Sequence, residues 1–282
     1  MSMVVNTNVM SLVAQTDLAS TQNKLNNAIT QLSSGLRINS AMDDPAGLAI
    51  ATAMQSQVNG MNQGVINANA AISMAQVADG AMGSVSNMLQ QMRTLAVEAA
   101  NGTNSGSGDA DLQAEFAQLA SQIQNTLGQT QFNGISVFSM ASGGITYQVG
   151  ANAADQIVVN TIAGTLATDT NVTQLANASS VSIGSVASAS AAIGAIDSAL
   201  NDVNSARASN GAYEIQFQQV VSSTQINSQN TAAAVSQIMD TDYAQATSEL
   251  TQAQIVQQAG TAMLSQANMI PQNVLSLLAK LP

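Results

Sequence analysis

Cysteine, histidine and tryptophan are all missing from this 282-residue chain. Without thiols there can be no disulfide, no thiolate nucleophile and no sulfur-based metal site. Without imidazole, Ser-His-Asp, Cys-His and HExxH chemistry are excluded, and so is any side chain with an unperturbed pKa between pH 5 and 8. Charge is nearly as scarce: charged residues make up 7% of the chain, and sixteen acidic against five basic residues leave a net charge of −11. That balance argues against an electrostatic grip on nucleic acid or anionic lipid. No stretch of eighteen apolar residues is present to span a bilayer. The start, MSMVVNTNVMSLVAQTDLAS, has no basic segment ahead of an apolar core, so it does not read as a Sec signal peptide. A secreted form would need another route.

Hydrophobic residues are 46% of the chain, yet only four Phe and three Tyr thicken any core. Ala, Ser, Gln, Asn and Met dominate, which suits thin helices packed closely along a long interface. The clearest element runs from Asp44 to about Asn101. Val58, Met61, Val65, Ala68, Ile72, Ala75, Met82, Val85, Leu89, Met92 and Ala96 form one stripe at helical spacing, interrupted at Asp79. Asp44 is placed to cap this helix and Pro45 suits its first position, while Asp43 adds negative charge at the positive end of the dipole. Such a helix would be about 85 Å long. It cannot bury its stripe alone, so other helices must lie along it.

In chain order, a first helix is expected over Val9 to Ser33, with Leu18, Leu25 and Leu32 at intervals of seven and Ile29 and Leu36 widening the seam. Gly35 offers a stop, and Leu36 to Met42 a connector. After the turn cluster NGTNSGSG at Asn101 to Gly108, Asp109 is placed to cap a helix carrying Leu112, Phe116, Leu119, Ile123 and Leu127, with Gly128 ending it. The period then changes. Phe132-Asn133-Gly134 reads as a turn, and Ile135, Val137, Ile145, Tyr147, Val149, Ile157 and Val159 alternate with polar residues as a pair of small hairpins. Ala163 to about Ser188 reads as an exposed tip. A long return helix follows through Ile196, Val203, Phe217 and Ile238. MDTDY at Met239 to Tyr243 breaks it, and a last helix carries Val256, Ala259, Met263 and Ile270 on one face. Pro271 should kink or restart this helix before Leu275 and Leu278. The fold class expected is mostly α: an elongated antiparallel bundle or coiled coil of long helices with a small β-hairpin region at the tip. Paired carboxylates at Asp43/Asp44 and Asp109/Asp111 read as helix caps, and the fourteen Met read as gap fillers. Asn101, Asn171 and Asn177 begin chance sequons, and hydroxyls between Thr161 and Ser190 are the better glycan acceptors.

Five segments taken together resemble bacterial flagellin: LSSGLRINSAMDDPAGLAIA (32–51), LQQMRTLAVEAANGTNS (89–105), QTQFNGISVF (129–138), YQVGAN (147–152) and DTDYAQATSELTQAQIVQQAGTAMLSQANMIPQNVLSLL (240–278). The resemblance covers nearly all of both ends, in order and with the family's spacing. It implies residues 1–43 and 241–282 as two halves of an inner core domain, and 44–187 with 188–240 as a second domain whose outer insertion is almost missing. It further implies a structural subunit that polymerises helically for swimming motility, leaves the cell through the flagellar type III channel, and needs no cofactor and no metal. Partners implied are copies of itself, hook-associated and cap proteins, and an export chaperone. The assembly stripe expected comprises Leu18, Leu25, Ile29, Leu32, Val256, Ala259, Met263, Ile270, Leu275 and Leu278. The rival from the same architecture is a hook–filament junction protein. A flagellin bearing an enzyme domain is disfavoured by the missing histidine and insertion.

Flagellins resembling this one contact an innate immune Toll-like receptor through an LQRVRELAV segment and a glutamate on the following helix. The matching positions here are Leu89, Gln91, Arg93, Leu95 and Glu115, with Gln91 replacing the family's first arginine and Thr94 its glutamate. Glutamine cannot reproduce a guanidinium's multidentate donation, so the contact should be weakened.

Overall fold

The computed structural model describes residues 7–104, 106–138, 144–159, 170–177 and 181–278, with the side chains of 170 and 272–278 excepted. Long helices dominate it: α1 (Val9–Ser34), α2 (Pro45–Ala99), α3 (Gly106–Gln129), α5 (Val186–Met239) and α6 (Tyr243–Leu278), with a short α4 (Thr170–Ala176). Two antiparallel strand pairs complete it, β1 (Gln131–Phe132) with β2 (Ile135–Ser136) and β3 (Ile145–Gln148) with β4 (Gln156–Val159). The chain forms two compact units, one of residues 1–55 with 231–282 and the other of residues 56–230; the division falls inside α2 and inside α5.

The core of the unit 56–230 is built on the α2 stripe. Ala68, Ala75, Met82, Val85, Leu89, Met92 and Ala96 are buried, joined by Phe116 and Ile123 of α3 and Ile196, Val203 and Phe217 of α5. Asp79, the break in the stripe, meets Arg207 of α5 at 2.8 Å, so the interruption is where an ion pair replaces an apolar contact. Asn210, one turn further along α5, is fully buried and donates from Nδ2 to the Ala75 carbonyl at 2.8 Å. The β1–β2 turn is the two-residue hairpin that Asn-Gly favours, both residues having positive φ (50° and 78°).

The β3–β4 hairpin sits directly on the α2 backbone. A methyl group on Gly64 would lie 2.4 Å from the Val149 carbonyl oxygen, and one on Gly60 2.9 Å from Ala151 Cα. Asn67 donates to the Gln148 carbonyl beside them. Tyr147 packs edge-on against Phe217 with ring centroids 5.4 Å apart, and its hydroxyl donates to the Met74 sulfur at 3.0 Å. Burial pushes that phenol above its ordinary value of 10.0.

Three expectations need correcting here. The described part of Ala163–Ser188 is not simply exposed: Val172, Leu175 and Ile183 are buried, and the Ile183 N–H donates to Gln113 Oε1 at 2.6 Å. Three apolar residues at suitable spacing hold a polar segment down, while 163–169 and 178–180 lie outside the described residues, and with them the suggested glycan acceptors Thr165, Thr168, Ser179 and Ser180. Asp109 does not cap α3, because the helix already starts at Gly106 and takes Asp109 into its first turn. Its Oδ1 is buried without a partner. Val137 is a buried residue beyond the end of β2 rather than part of it.

In the unit containing both chain ends, Gly35 closes α1 in the left-handed conformation (φ 74°). Its carbonyl accepts from the Thr241 N–H, and the Arg37 N–H donates to the Met239 carbonyl, so the two connectors pair across the Leu36–Asp240 bridge. Asp44 caps α2, accepting from the Gly47 N–H at 2.8 Å. Asp43 instead folds back onto the connector, accepting from the Ser40 and Asn39 N–H groups, which lowers its carboxyl pKa below the ordinary range. Asp242 caps α6 through the Ala244 N–H.

Pro271 does not restart the helix: α6 runs through it to Leu278. A proline at this position cannot donate to the carbonyl four residues back, Ala267. That carbonyl is satisfied from another helix, by the Asn8 amide at 2.8 Å. Asn8 Oδ1 meanwhile accepts from the Ser11 N–H and caps α1. One side chain thus starts the first helix and repairs the last.

Candidate assembly surface

The α1/α6 pair is antiparallel: Asn8 reaches Ala267, Ser11 reaches Asn268, and Gln22 accepts from Gln257. Two seven-residue repeats face each other in it. On α1 these are Ser11, Leu18, Leu25 and Leu32; on α6 they are Ala246, Ala253, Gly260 and Ala267, all small. Leu18 marks the register, since a methyl group on Gly260 would sit 3.3 Å from Leu18 Cδ1. Leu25 then falls opposite Ala253 and Leu32 opposite Ala246. Leucines entering gaps between small residues let the backbones approach, in the manner of knobs in holes. Ser11, Leu25, Ala246, Ala253 and Ala267 are accordingly buried.

Because the inner seam is made of small residues, the larger apolar side chains are left outside it. Val9, Leu12 and Val13 of α1 are 60%, 63% and 54% exposed, and Ile255 of α6 is 61% exposed. Several of these, with Met10, Val256 and Met263, line one apolar groove between the helices. A monomeric soluble protein rarely leaves so many large apolar residues together in water.

The expected assembly stripe therefore divides in two. Leu25 is buried in the seam and Leu18 and Leu32 are half-buried in it, so these three hold the subunit's own helices together. Ile29, Val256, Ala259, Met263 and Ile270 are exposed. Leu275 and Leu278 lie where side chains are outside the description. Missing from the expectation were Val9, Met10, Leu12, Val13 and Ile255, and the small-residue repeat. Both had a readable signal: an apolar cluster in VMSLV, and Ala or Gly at every seventh position from 246 to 267.

The receptor-type residues lie in the other unit. Leu89 is fully buried and Leu95 is 8% exposed, so both pack into the core and neither is offered to a partner. Gln91, Arg93 and Glu115 are exposed. Arg93 is engaged with Asp197 at 2.7 Å, and that hydrogen bond raises its pKa further. Among the described residues no group of three acidic side chains could hold a metal ion, and no helix is long and apolar enough to cross a membrane.

Residues 5–142 match the bacterial flagellin N-terminal helical region and residues 193–278 the bacterial flagellin C-terminal helical region. The chain is also 36% identical to a flagellar filament 33 kDa core protein of Treponema phagedenis, over 98% of this chain and all of that one. The chain belongs to the bacterial flagellin family. It is likewise 37% identical to a flagellin of Halalkalibacterium halodurans, over 98% of this chain and all of the relative. A Vibrio parahaemolyticus protein described as flagellar hook-associated shares the fold (TM-score 0.56, 16% identity, 70% of this chain and all of that one). At that identity the likeness concerns fold alone, and nothing favours the hook-associated reading over the filament one. This flagellin is a structural subunit of the flagellar filament, in a compact form without large outer domains.

Proposed function

We propose that this flagellin polymerises by having neighbouring copies cover the exposed apolar face of its α1/α6 pair. The observation that carries this is the set of large apolar residues outside the seam, headed by Leu12 and Met263, each 63% exposed. The contact is heterologous, one surface meeting a different one on the next copy, and so propagates without closure. The inner core domain comprises residues 1–43 and 241–282; residues 44–187 and 188–240 form the second. Two thin helices with a small-residue seam are marginal in water. They order fully when copies assemble, which also suits passage through a narrow export channel to the cell exterior. The role is structural, not enzymatic, and hook-associated proteins, a cap protein and an export chaperone complete the partners. Gln91 and the burial of Leu89 and Leu95 leave recognition by an innate receptor weak, and Gln91→Arg should raise receptor signalling.

Leu12→Asp and Ile255→Asp, each placing a charge on the exposed face, test the assembly reading. Seeded polymerisation followed by light scattering and electron microscopy should fail for both at concentrations where the parent protein forms filaments. The melting of the unit 56–230 should be unchanged. Normal filaments from both variants would refute it.

A further inference from the structure

Two methionines stand on opposite walls of the α1/α6 groove, Met10 on α1 and Met263 on α6, with Val9, Val13, Ile255 and Val256 beside them. They are 55% and 63% exposed, whereas Met74, Met82 and Met92 in the unit 56–230 are 2%, 0% and 0% exposed. Methionine suits such a groove because its flexible, polarizable side chain adapts to neighbours that do not seat identically. The same choice makes the groove chemically vulnerable: a thioether accepts an oxygen atom, and exposure decides which thioethers react.

We propose that Met10 and Met263 are an oxidation site for peroxide-class oxidants, and that sulfoxide formation there blocks addition of the subunit to a filament. This rests on the assembly reading above and adds to it the residues through which assembly can be switched off. The step is two-electron oxygen transfer. A sulfur lone pair attacks one peroxide oxygen, the O–O bond breaks, the sulfur becomes a sulfoxide, and the departing oxygen leaves as water once protonated. The sulfoxide replaces an apolar thioether with a strong polar acceptor, and the groove offers little to satisfy it. Its walls are aliphatic, with Asp17, itself an acceptor when ionised, the charged residue among those lining it. Burying that oxygen against a neighbour then costs as much as burying any unpaired polar group. Reduction of the sulfoxide restores the thioether, so the block is reversible.

The test treats the purified full-length subunit, and separately preformed filaments, with hydrogen peroxide. Oxidised sites are mapped by peptide mass spectrometry and seeded elongation is measured. In the free subunit Met10 and Met263 should oxidise early, along with Met42 and Met269, which are 92% and 49% exposed, while Met74, Met82 and Met92 stay reduced. Elongation should slow about tenfold or more. Treatment with methionine sulfoxide reductases should bring it back, and a Met42→Leu subunit should lose elongation as the parent does. A Met10→Leu/Met263→Leu subunit should elongate after peroxide at its own untreated rate, whatever that rate is relative to the parent's. In filaments both residues should react several-fold more slowly. Undiminished elongation with both sites oxidised would overturn the proposal, as would failure of the reductases to restore it once the sulfoxides are gone. Equal reactivity in filament and free subunit would overturn the groove's burial while leaving filament formation, seen directly by microscopy, intact.

Discussion

Asn8 is the residue on which the pairing of the two chain ends should turn most sharply. Its oxygen caps α1 through the Ser11 N–H at 3.1 Å, and its amide supplies the Ala267 carbonyl, at 2.8 Å, with the donor that Pro271 lacks. Asn8→Asp separates the two roles. The carboxylate still caps and gains from the helix dipole, but it presents an acceptor to an acceptor at Ala267. The lost hydrogen bond costs about 0.5–1.5 kcal/mol, and a carbonyl left unsatisfied in a covered contact raises the total to about 1–3 kcal/mol. The filament's critical concentration reads this directly, since each 1.4 kcal/mol is a factor of ten; Asn8→Asp should raise it by roughly 5- to 150-fold. Pro271→Ala gives the control. An alanine there donates to Ala267 from within α6, making the Asn8 amide redundant, so the cost of Asn8→Asp should fall by about 1 kcal/mol in that background. A critical concentration unchanged by Asn8→Asp, or a cost that is the same with Pro271→Ala, would refute the argument.

Gly64→Ala should lower the melting temperature of the unit 56–230 although alanine is the better helix former by about 1 kcal/mol, because the new methyl group meets backbone, the Val149 carbonyl at 2.4 Å. Gly80→Ala, whose methyl group would meet nothing within 4 Å, should raise it by about 2–4 °C in the same calorimetric scan. Opposite signs at the two glycines are the expected result, and a stabilising Gly64→Ala would mean that the hairpin does not sit on α2. Tyr147 gives a pH dependence of defined sign. Its folded pKa is raised by burial above 10.0, so its contribution to stability is complete below that value and is lost as pH rises through the folded pKa. Melting temperature against pH should fall more steeply above pH 10 for the parent than for Tyr147→Phe, and parallel curves would count against it.

Helix existence was largely readable from the chain because the signals are local and strong. Asp44-Pro45 marks the start of α2, Gly35 the end of α1, and Asn133-Gly134 the hairpin. Where reading failed, the deciding fact was tertiary. Pro271 carries a real local penalty, but its unsatisfied acceptor is met by a residue 259 positions away in the chain. Asp109 looked like a cap because of its residue type, yet helix begins earlier, at Gly106. The seam face of α6 went unread for a related reason. Hydrophobicity singles out Val256 and Met263, while the seam selects the smallest residues, Ala246, Ala253, Gly260 and Ala267. Size, not apolarity, sets how closely two helices approach.

That distinction explains why the two units differ in completeness. Among the described residues, nine of the ten largest fully buried side chains lie within residues 56–230, including Phe116, Phe138 and Phe217; Ile38 is the exception. Burying one such side chain stabilises by about 1.5–3 kcal/mol, so that unit closes a core of its own. The α1/α6 seam buries mainly Ala and polar side chains such as Ser11 and Thr21, together with Leu25. An alanine methyl removes little apolar area from water, and ordering each residue costs about 1–2 kcal/mol of backbone entropy, so the seam alone leaves the pair near balance. The area that could tip it is the area left outside, on Leu12, Val13, Ile255 and their neighbours. A seam of small residues therefore does two things at once: it fixes the register of the chain ends and leaves large apolar side chains such as Leu12, Val13 and Ile255 outside, on the face we propose another copy covers. Filling that seam should reverse the arrangement. Ala253→Leu would crowd Leu25, push α6 outward, and weaken filaments even though it makes the pair more apolar.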